Sequence, residues 1–137
     1  LKMSFKVSDE NFDSVVGDLL DYFKSVKPFE IETGGICFEH VICWISMKRN
    51  DKLDRLHDYL NDFLMQKYGV PLHEYDTDYK YHTTLFSDSN EEKVLMAYKL
   101  IEQEQIPKTI NANTILIGFS ESGNLGTFKI KHTIKLN

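Results

Sequence analysis

The sequence predicts an α+β fold of two pseudo-symmetric β-α-β-β lobes around a central cleft, with antiparallel-rich sheets and the helices outside. Three observations predict it. Apolar residues alternate in short runs and recur at helical spacing in longer ones, in an order that repeats: strand, helix, strand, strand. Pro28 and Pro107 stop the first and third predicted helices at corresponding points. An offset of 79 residues matches Ser8 with Ser87, Asp9 with Asp88, Asn11 with Asn90, Val15 with Val94, Pro28 with Pro107 and Ile31 with Ile110. The length suggests a single domain, 1–137. Lobe one is expected at about 1–48, a linking helix and loop at 49–80, and lobe two at about 81–137.

Each element has its own signal. "LKMSFKV" places Leu1, Met3, Phe5 and Val7 on one face and Lys2, Ser4 and Lys6 on the other, a half-buried strand. Ser8 is an expected N-cap, followed by acids. Phe12, Val15, Val16, Leu19, Leu20, Phe23 and Val26 then form a helical stripe. "FEIETGGICFEHVICWISM" predicts two strands broken near Gly34-Gly35, with "ICFEHVICWI" as one of them. Residues 51–67 carry the stripe Leu53, Leu56, Leu60, Phe63 and Leu64, ended by Gly69 and Pro71. "YHTTLF" is the next strand. Residues 90–105 form a third helix, with Val94, Leu95, Tyr98 and Ile101 facing in. "TINANTILIGF" and "GTFKIKHTIKL" are strands joined at "GNLG", 123–126, a turn rather than a phosphate loop because no helix follows it.

Hydrophobic residues are 42% and charged residues 27%, a usual globular balance. Net charge is −5 and the pI is about 5.5. Long-duplex nucleic acid held mainly by phosphate neutralisation is therefore not expected, while an RNA end or a small nucleotide is permitted. Cys37 and Cys43 would lie about 20 Å apart on one strand, beyond disulfide reach. Reduced core cysteines in a cytoplasmic protein are the expectation. No apolar run reaches membrane-span length.

The stretch with chemistry in it is "HTTL", 82–85. On a strand, residues i and i+2 share a side, so His82 and Thr84 would stand about 6.5 Å apart on one face. The imidazole gains or loses a proton near neutral pH, and the threonine hydroxyl can donate to a phosphate oxygen. Leu85 would face the core. Taken alone, such a pair is more often an ordinary strand histidine with a solvent-facing threonine. The repeat raises its weight, because "HTTL" lies directly before the second-half helix. A counterpart is expected before the first helix, and Leu1 is the natural equivalent of Leu85. The chain is thus expected to begin just after the first copy.

The sequence resembles the two-histidine (2H) phosphoesterases, the 2′–5′ RNA ligase-like proteins. The resemblance is carried by His82-Thr83-Thr84-Leu85, by "LKMSF" as the tail of a first motif, by the strand pair "PFEIETGGICFEHVICWISM" and by the closing hairpin "ILIGFSESGNLGTFKIKHTIKL". It covers most of the chain. The first His-x-Thr/Ser motif is not contained in residues 1–137, and Tyr81 stands where the family often has proline. The resemblance implies phosphodiester chemistry on RNA ends or small nucleotides. One histidine acts as general base and one as general acid, on a 2′,3′-cyclic phosphate or in formation of a 2′–5′ bond, without metal or cofactor. It makes His82 and Thr84 the catalytic residues. Lys2, Ser4 and Tyr81 are candidate substrate-binding residues. The alternative is a non-catalytic RNA- or nucleotide-binding module on the same fold, and a third reading is a plain interaction domain.

Other chemistry-bearing residues have blander readings. His40 alternates with Phe38, Ile42 and Trp44 and is expected as a core or cleft-wall histidine. Core packing is expected for Phe38 and Trp44 over base stacking. His132 is structural, because its i+2 neighbour is Ile134. His57 is expected exposed on the middle helix. His73, beside Glu74, Asp76 and Asp78, belongs to a solvated loop rather than a metal site. Tyr75, Tyr79 and Tyr81 around Lys80 suit either base stacking or a loop over the cleft.

Overall fold

One sheet joins both halves of the chain, with a hairpin from the first half flanked by strands from the second. The computed structural model describes residues 1–122 and 127–137. The expected turn at 123–126 lies outside the described residues. The elements run α1 (Asp9–Lys24), β1 (Phe29–Glu39), β2 (Ile42–Met47), α2 (Asp51–Tyr68), β3 (His82–Ser87), α3 (Glu91–Ile101), β4 (Thr109–Ala112), β5 (Thr114–Phe119) and β6 (Lys129–Lys135). A four-stranded sheet has the order β3-β2-β1-β4, and β5 pairs with β6 in a second sheet. All pairings are antiparallel, and the fold is α+β.

The helices follow their local signals. The Asn50 carboxamide oxygen accepts from the N–H groups of Lys52 and Leu53 and so caps α2. Gly69 ends α2 with φ 66°, where glycine carries no Cβ penalty, and the Val70 N–H closes back on the Leu64 carbonyl. Asn90 caps α3 in the same way as Asn50 caps α2. Val15, Leu19 and Phe23 of α1 meet Leu53, Leu56, Leu60 and Leu64 of α2, with Phe29, Ile31, Tyr81, Ile134 and Leu136 completing the core. A smaller apolar contact lies under α3. There Val94 and Cys43 are fully buried and Phe38 stacks on Tyr98 at 5.7 Å.

Several expectations need correction. Residues 1–7 form no strand. Their alternation is real, since Leu1, Phe5 and Val7 pack on the core, but a one-sided apolar pattern demands an extended segment and not a partner strand. The first β-hairpin turns at His40-Val41, not at Gly34-Gly35. The glycines sit instead within β1, at an irregularity between Thr33 and Ile36. A side chain at Gly34 would collide with Ser46 Oγ, and Ser46 Oγ itself accepts from the Gly35 N–H at 3.0 Å. The two cysteines therefore lie on paired strands, with Cys37 opposite Trp44 and Cys43 opposite Phe38. "TINANTILIGF" is two strands, divided at Asn113, where the chain passes from one sheet to the other. The third helix ends earlier than the pattern suggested, at Ile101.

His57 is the largest departure. It is 3% exposed. Its Nδ1 lies 2.7 Å from the Leu1 carbonyl oxygen and its Nε2 2.8 Å from that of Asp76. Asp76 is buried as well. It pairs with the Lys2 ammonium and accepts from the N–H groups of Met3 and His73. The backbone polarity of the first residues is thus met by this cluster in place of a ladder. Burial opposes ionisation of Asp76, but Lys2 and the two N–H groups outweigh it and hold the carboxyl below its usual range.

Two stability predictions follow from these contacts. His40 has φ 47°, a conformation costing a side-chain-bearing residue roughly 1–2 kcal/mol. His40→Gly, read by urea unfolding, is expected to stabilise by ~0.5–1 kcal/mol after the added chain entropy is subtracted. Asp76→Asn leaves the Lys2 ammonium buried without its counter-charge and is expected to cost roughly 3 kcal/mol. The pH dependence has a definite sign. A depressed carboxyl pKa gives stability that is full above the unfolded value, about 3.9, and lost as pH falls through the lower folded value. As pH falls from about 3.9 through the lower folded value, unfolding free energy should therefore fall less in the variant than in the wild type.

Candidate functional site

The candidate site is one face of the four-stranded sheet, and strand register decides which face. His82 is directly opposite Ser46, and Thr84 directly opposite Trp44, which is in turn opposite Cys37. Directly opposed residues share a side of a sheet. His82, Thr84, Trp44, Ser46 and Cys37 therefore stand together. Phe38 and Cys43 take the other side, which α3 covers.

The register of β3 against β2 shifts at Leu85. Thr84 pairs with Trp44 and Phe86 with the preceding residue, Cys43, so Leu85 is an extra residue. It is 43% exposed rather than in the core. The bulge reverses parity, so His82 and Thr84 face one way while Phe86 shares the Cys43 side.

His82 is exposed, and its Nδ1 lies 2.6 Å from the Lys80 carbonyl oxygen. A carbonyl can only accept, so Nδ1 carries the donated proton and Nε2 keeps its lone pair in the neutral ring. Nε2 has no hydrogen-bond partner among the described residues. The Trp44 indole stands edge-on to the ring, with centroids 6.3 Å apart. The aromatic nearest the motif is thus Trp44, which the sequence assigned to the core. It is half-buried, with its side on the open face.

A cavity of about 190 Å³ has His82 in its lining. The core residues Phe29, Ile31 and Leu53 line it with Leu1, Met47, Tyr79 and Tyr81, and Ala112, Thr114 and Ile115 line it around the Asn113 crossing. Thr114 had no visible signal, because its position depends on the sheet change. Ser46 had a visible signal, the same parity as Trp44 in "ICWISM".

The remaining candidate residues are placed as follows. The Tyr81 side chain is 6% exposed, and its hydroxyl donates to Asp54 Oδ1 at 2.9 Å. Burial and the Asp54 carboxylate both push that hydroxyl's pKa up. Arg49 binds the same Oδ1 at 3.0 Å and, with Tyr81, holds Asp54 below the usual carboxylate range against partial desolvation. Tyr81 thus anchors the residue before His82 to α2. Lys2 is committed to Asp76, Ser4 is exposed, and neither lines the cavity. His40 sits in the exposed hairpin turn, 3.5 Å from the Glu91 carboxylate, and not in a cleft wall. His73 caps the 3₁₀ turn Glu74–Asp76. Tyr75 is 62% exposed, while Tyr79 tilts over His57 at 4.7 Å.

Tyr81→Phe removes a hydrogen bond to a partly exposed carboxylate. Denaturant titration should show a loss of about 1.5 kcal/mol.

A scan of protein-family models finds none that matches the chain, and no curated protein matches it, so the functional reading rests on these residues and their geometry.

Proposed function

We propose that the protein performs acid–base chemistry on a phosphodiester of an RNA end or small nucleotide, with His82 Nε2 exchanging the proton and Thr84 donating to a non-bridging oxygen. The observation that carries the reading is the open face itself. His82 and Thr84 share it, Nδ1 is fixed by Lys80, and the reactive nitrogen is unclaimed. On a 2′,3′-cyclic phosphate, water loses a proton to the base and attacks phosphorus, while the acid protonates the departing ribose oxygen. Each such group typically contributes ~10²–10⁴-fold.

The scheme needs a second acid–base group. By the family resemblance it belongs to a first His-x-Thr/Ser motif, whose tail Leu1–Phe5 resembles. Leu1 lines the cavity that His82 also lines, so that tail lies beside His82.

Pseudo-symmetry has support of its own. The repeat equates Ile31 with Ile110, and these two residues are directly paired between β1 and β4. A two-fold axis through that pair would relate the two strands, and with them the irregularity at Gly34-Gly35 and the crossing at Asn113, again 79 residues apart. Two such units would then exchange hairpins, since β1–β2 meets β3 and α3 while β6 meets α1.

The test is hydrolysis of 2′,3′-cyclic mononucleotides in EDTA, using the protein at its native length. His82→Ala is expected to lower kcat/KM by 10²–10⁴-fold. Thr84→Val should lower it less, about 10-fold, for one lost hydrogen bond. Turnover indifferent to His82→Ala removes the proposal. Nucleotide binding without any turnover in the wild type favours the binding module.

A further inference from the structure

The charge of the chain is unevenly distributed. Residues 105–137 hold four lysines, Lys108, Lys129, Lys131 and Lys135, against one acid, Glu121. That segment is +3, so the preceding 104 residues carry −8 of the total −5. Three of the four lysines are on β6.

The β5–β6 hairpin has two unlike faces. Ile115, Ile117 and Ile134 turn inward onto the core. The other face is open along its length. Thr114 is opposite Lys135, and Leu116 opposite Thr133. The register then shifts, and Gly118 meets Ile130. Leu116 is 54% and Ile130 64% exposed. Gly118 matters here because it has no side chain. A Cβ there would press on Phe128 Cδ1 at 3.3 Å, so the Phe128 ring, itself 45% exposed, lies over the glycine. An aromatic ring, two aliphatic side chains, two hydroxyls and a lysine thus share one solvent-facing surface. At one end that surface meets the cavity of His82, through Thr114. From Thr114 to Gly118 it runs about 13 Å.

We propose that this open face holds the single-stranded stretch of an RNA whose reactive phosphodiester lies at His82. The inference rests on the phosphodiester reading above and extends it from the reacting group to the rest of the substrate. Lys135 is the lysine on this face, while Lys129 is opposite Phe119 on the other side of β6 and Lys131 lies over the Phe12 and Phe119 rings. One cation on the face, in a segment that is +3 overall, favours an anionic occupant. The exposed ring and aliphatic side chains select unpaired bases, whose faces stack on such groups regardless of sequence. A duplex would hide those faces, and the single lysine on this face neutralises too few phosphates to hold one. Continuity with the His82 cavity fixes the direction, with the reactive end at Thr114 and the tail toward Phe128.

The experiment compares a 5′-labelled single-stranded oligoribonucleotide ending in a 2′,3′-cyclic phosphate with the cyclic mononucleotide. It uses the protein at its native length. Fluorescence anisotropy reads oligonucleotide binding, and kcat/KM is measured on both substrates. Phe128→Ala is expected to weaken oligonucleotide binding by about 5- to 100-fold. Lys135→Ala should make the log–log salt slope shallower by about 0.7. Each should lower the oligonucleotide-to-mononucleotide ratio of kcat/KM by about fivefold or more. An unchanged ratio and unchanged binding in both variants would overturn the proposal. So would concentration-dependent self-association abolished by Leu116→Lys in a protein that binds no oligonucleotide, which would make the face a contact between copies. Failure of the catalytic reading looks different: the wild type turns over neither substrate, while anisotropy still reports whether Phe128 and Lys135 hold RNA.

Discussion

The buried contact of His57 with Asp76 is the constraint on which the rest of the arrangement depends. Neither residue belongs to a strand, yet between them they fix three parts of the chain. His57 holds the carbonyls of Leu1 and Asp76 to α2. Asp76 in turn holds Lys2 and Met3. Residues that begin the chain are thereby set against the loop that leads into β3. The cavity of His82 has Leu1 in its wall because of this node. A buried charge is costly unless paired and hydrogen-bonded, and Asp76 is both. The node specifies position as much as it contributes stability. If its partners separated, the N-terminal segment would keep the packing of Leu1, Phe5 and Val7 and the bond from the Leu1 amino group to the Tyr79 hydroxyl, but would lose its buried ion pair and the His57 contact.

Much of the fold was legible in the sequence, for reasons that are local. The helix stripes are set by 3.6-residue periodicity, and the cores of α1 and α2 consist of the residues those stripes contain. Gly69 ends α2 within a few residues of itself, as its position after the stripe indicated, whereas Ser8 holds the cap position of α1 without a side-chain cap bond, and the capping side chains are Asn50 and Asn90. What was not legible depends on partners distant in sequence. "LKMSFKV" alternates as a strand does, but its polar groups find Asp76 and His57 instead of a ladder. Gly34-Gly35 looked like a turn because glycine usually marks one, whereas here Ser46 needs the space. His40 in left-handed backbone is an unusual choice for a hairpin, so the true turn gave no signal. His57 occupied a position on the α2 stripe, one residue from Leu56, and its burial followed from that stripe more than from its polarity.

The candidate site was half legible. The i, i+2 rule fixes that His82 and Thr84 share a side, provided they lie on a strand. Which side is open depends on where α3 packs, and which aromatic lies nearby depends on the register of β2. The sheet change at Asn113 matters for the same reason. One continuous run of eleven residues contributes to both sheets, so the strand that closes the four-stranded sheet also opens the second one. Thr114 reaches the His82 cavity through that crossing, although 32 positions of sequence separate the two residues.

The bulge at Leu85 has a consequence for solubility. β3 is the outermost strand of its sheet, and it carries Leu85 and Phe86 exposed. A flat edge of that kind is a template on which a second chain can add a strand. The extra residue breaks the regular spacing of outward N–H and carbonyl groups and increases the local twist. An incoming strand could match the edge on one side of Leu85 but not across it. The irregularity that lets His82 and Phe86 face opposite ways therefore also limits edge-to-edge growth of the sheet, leaving the histidine strand accessible to a small ligand but a poor seed for aggregation.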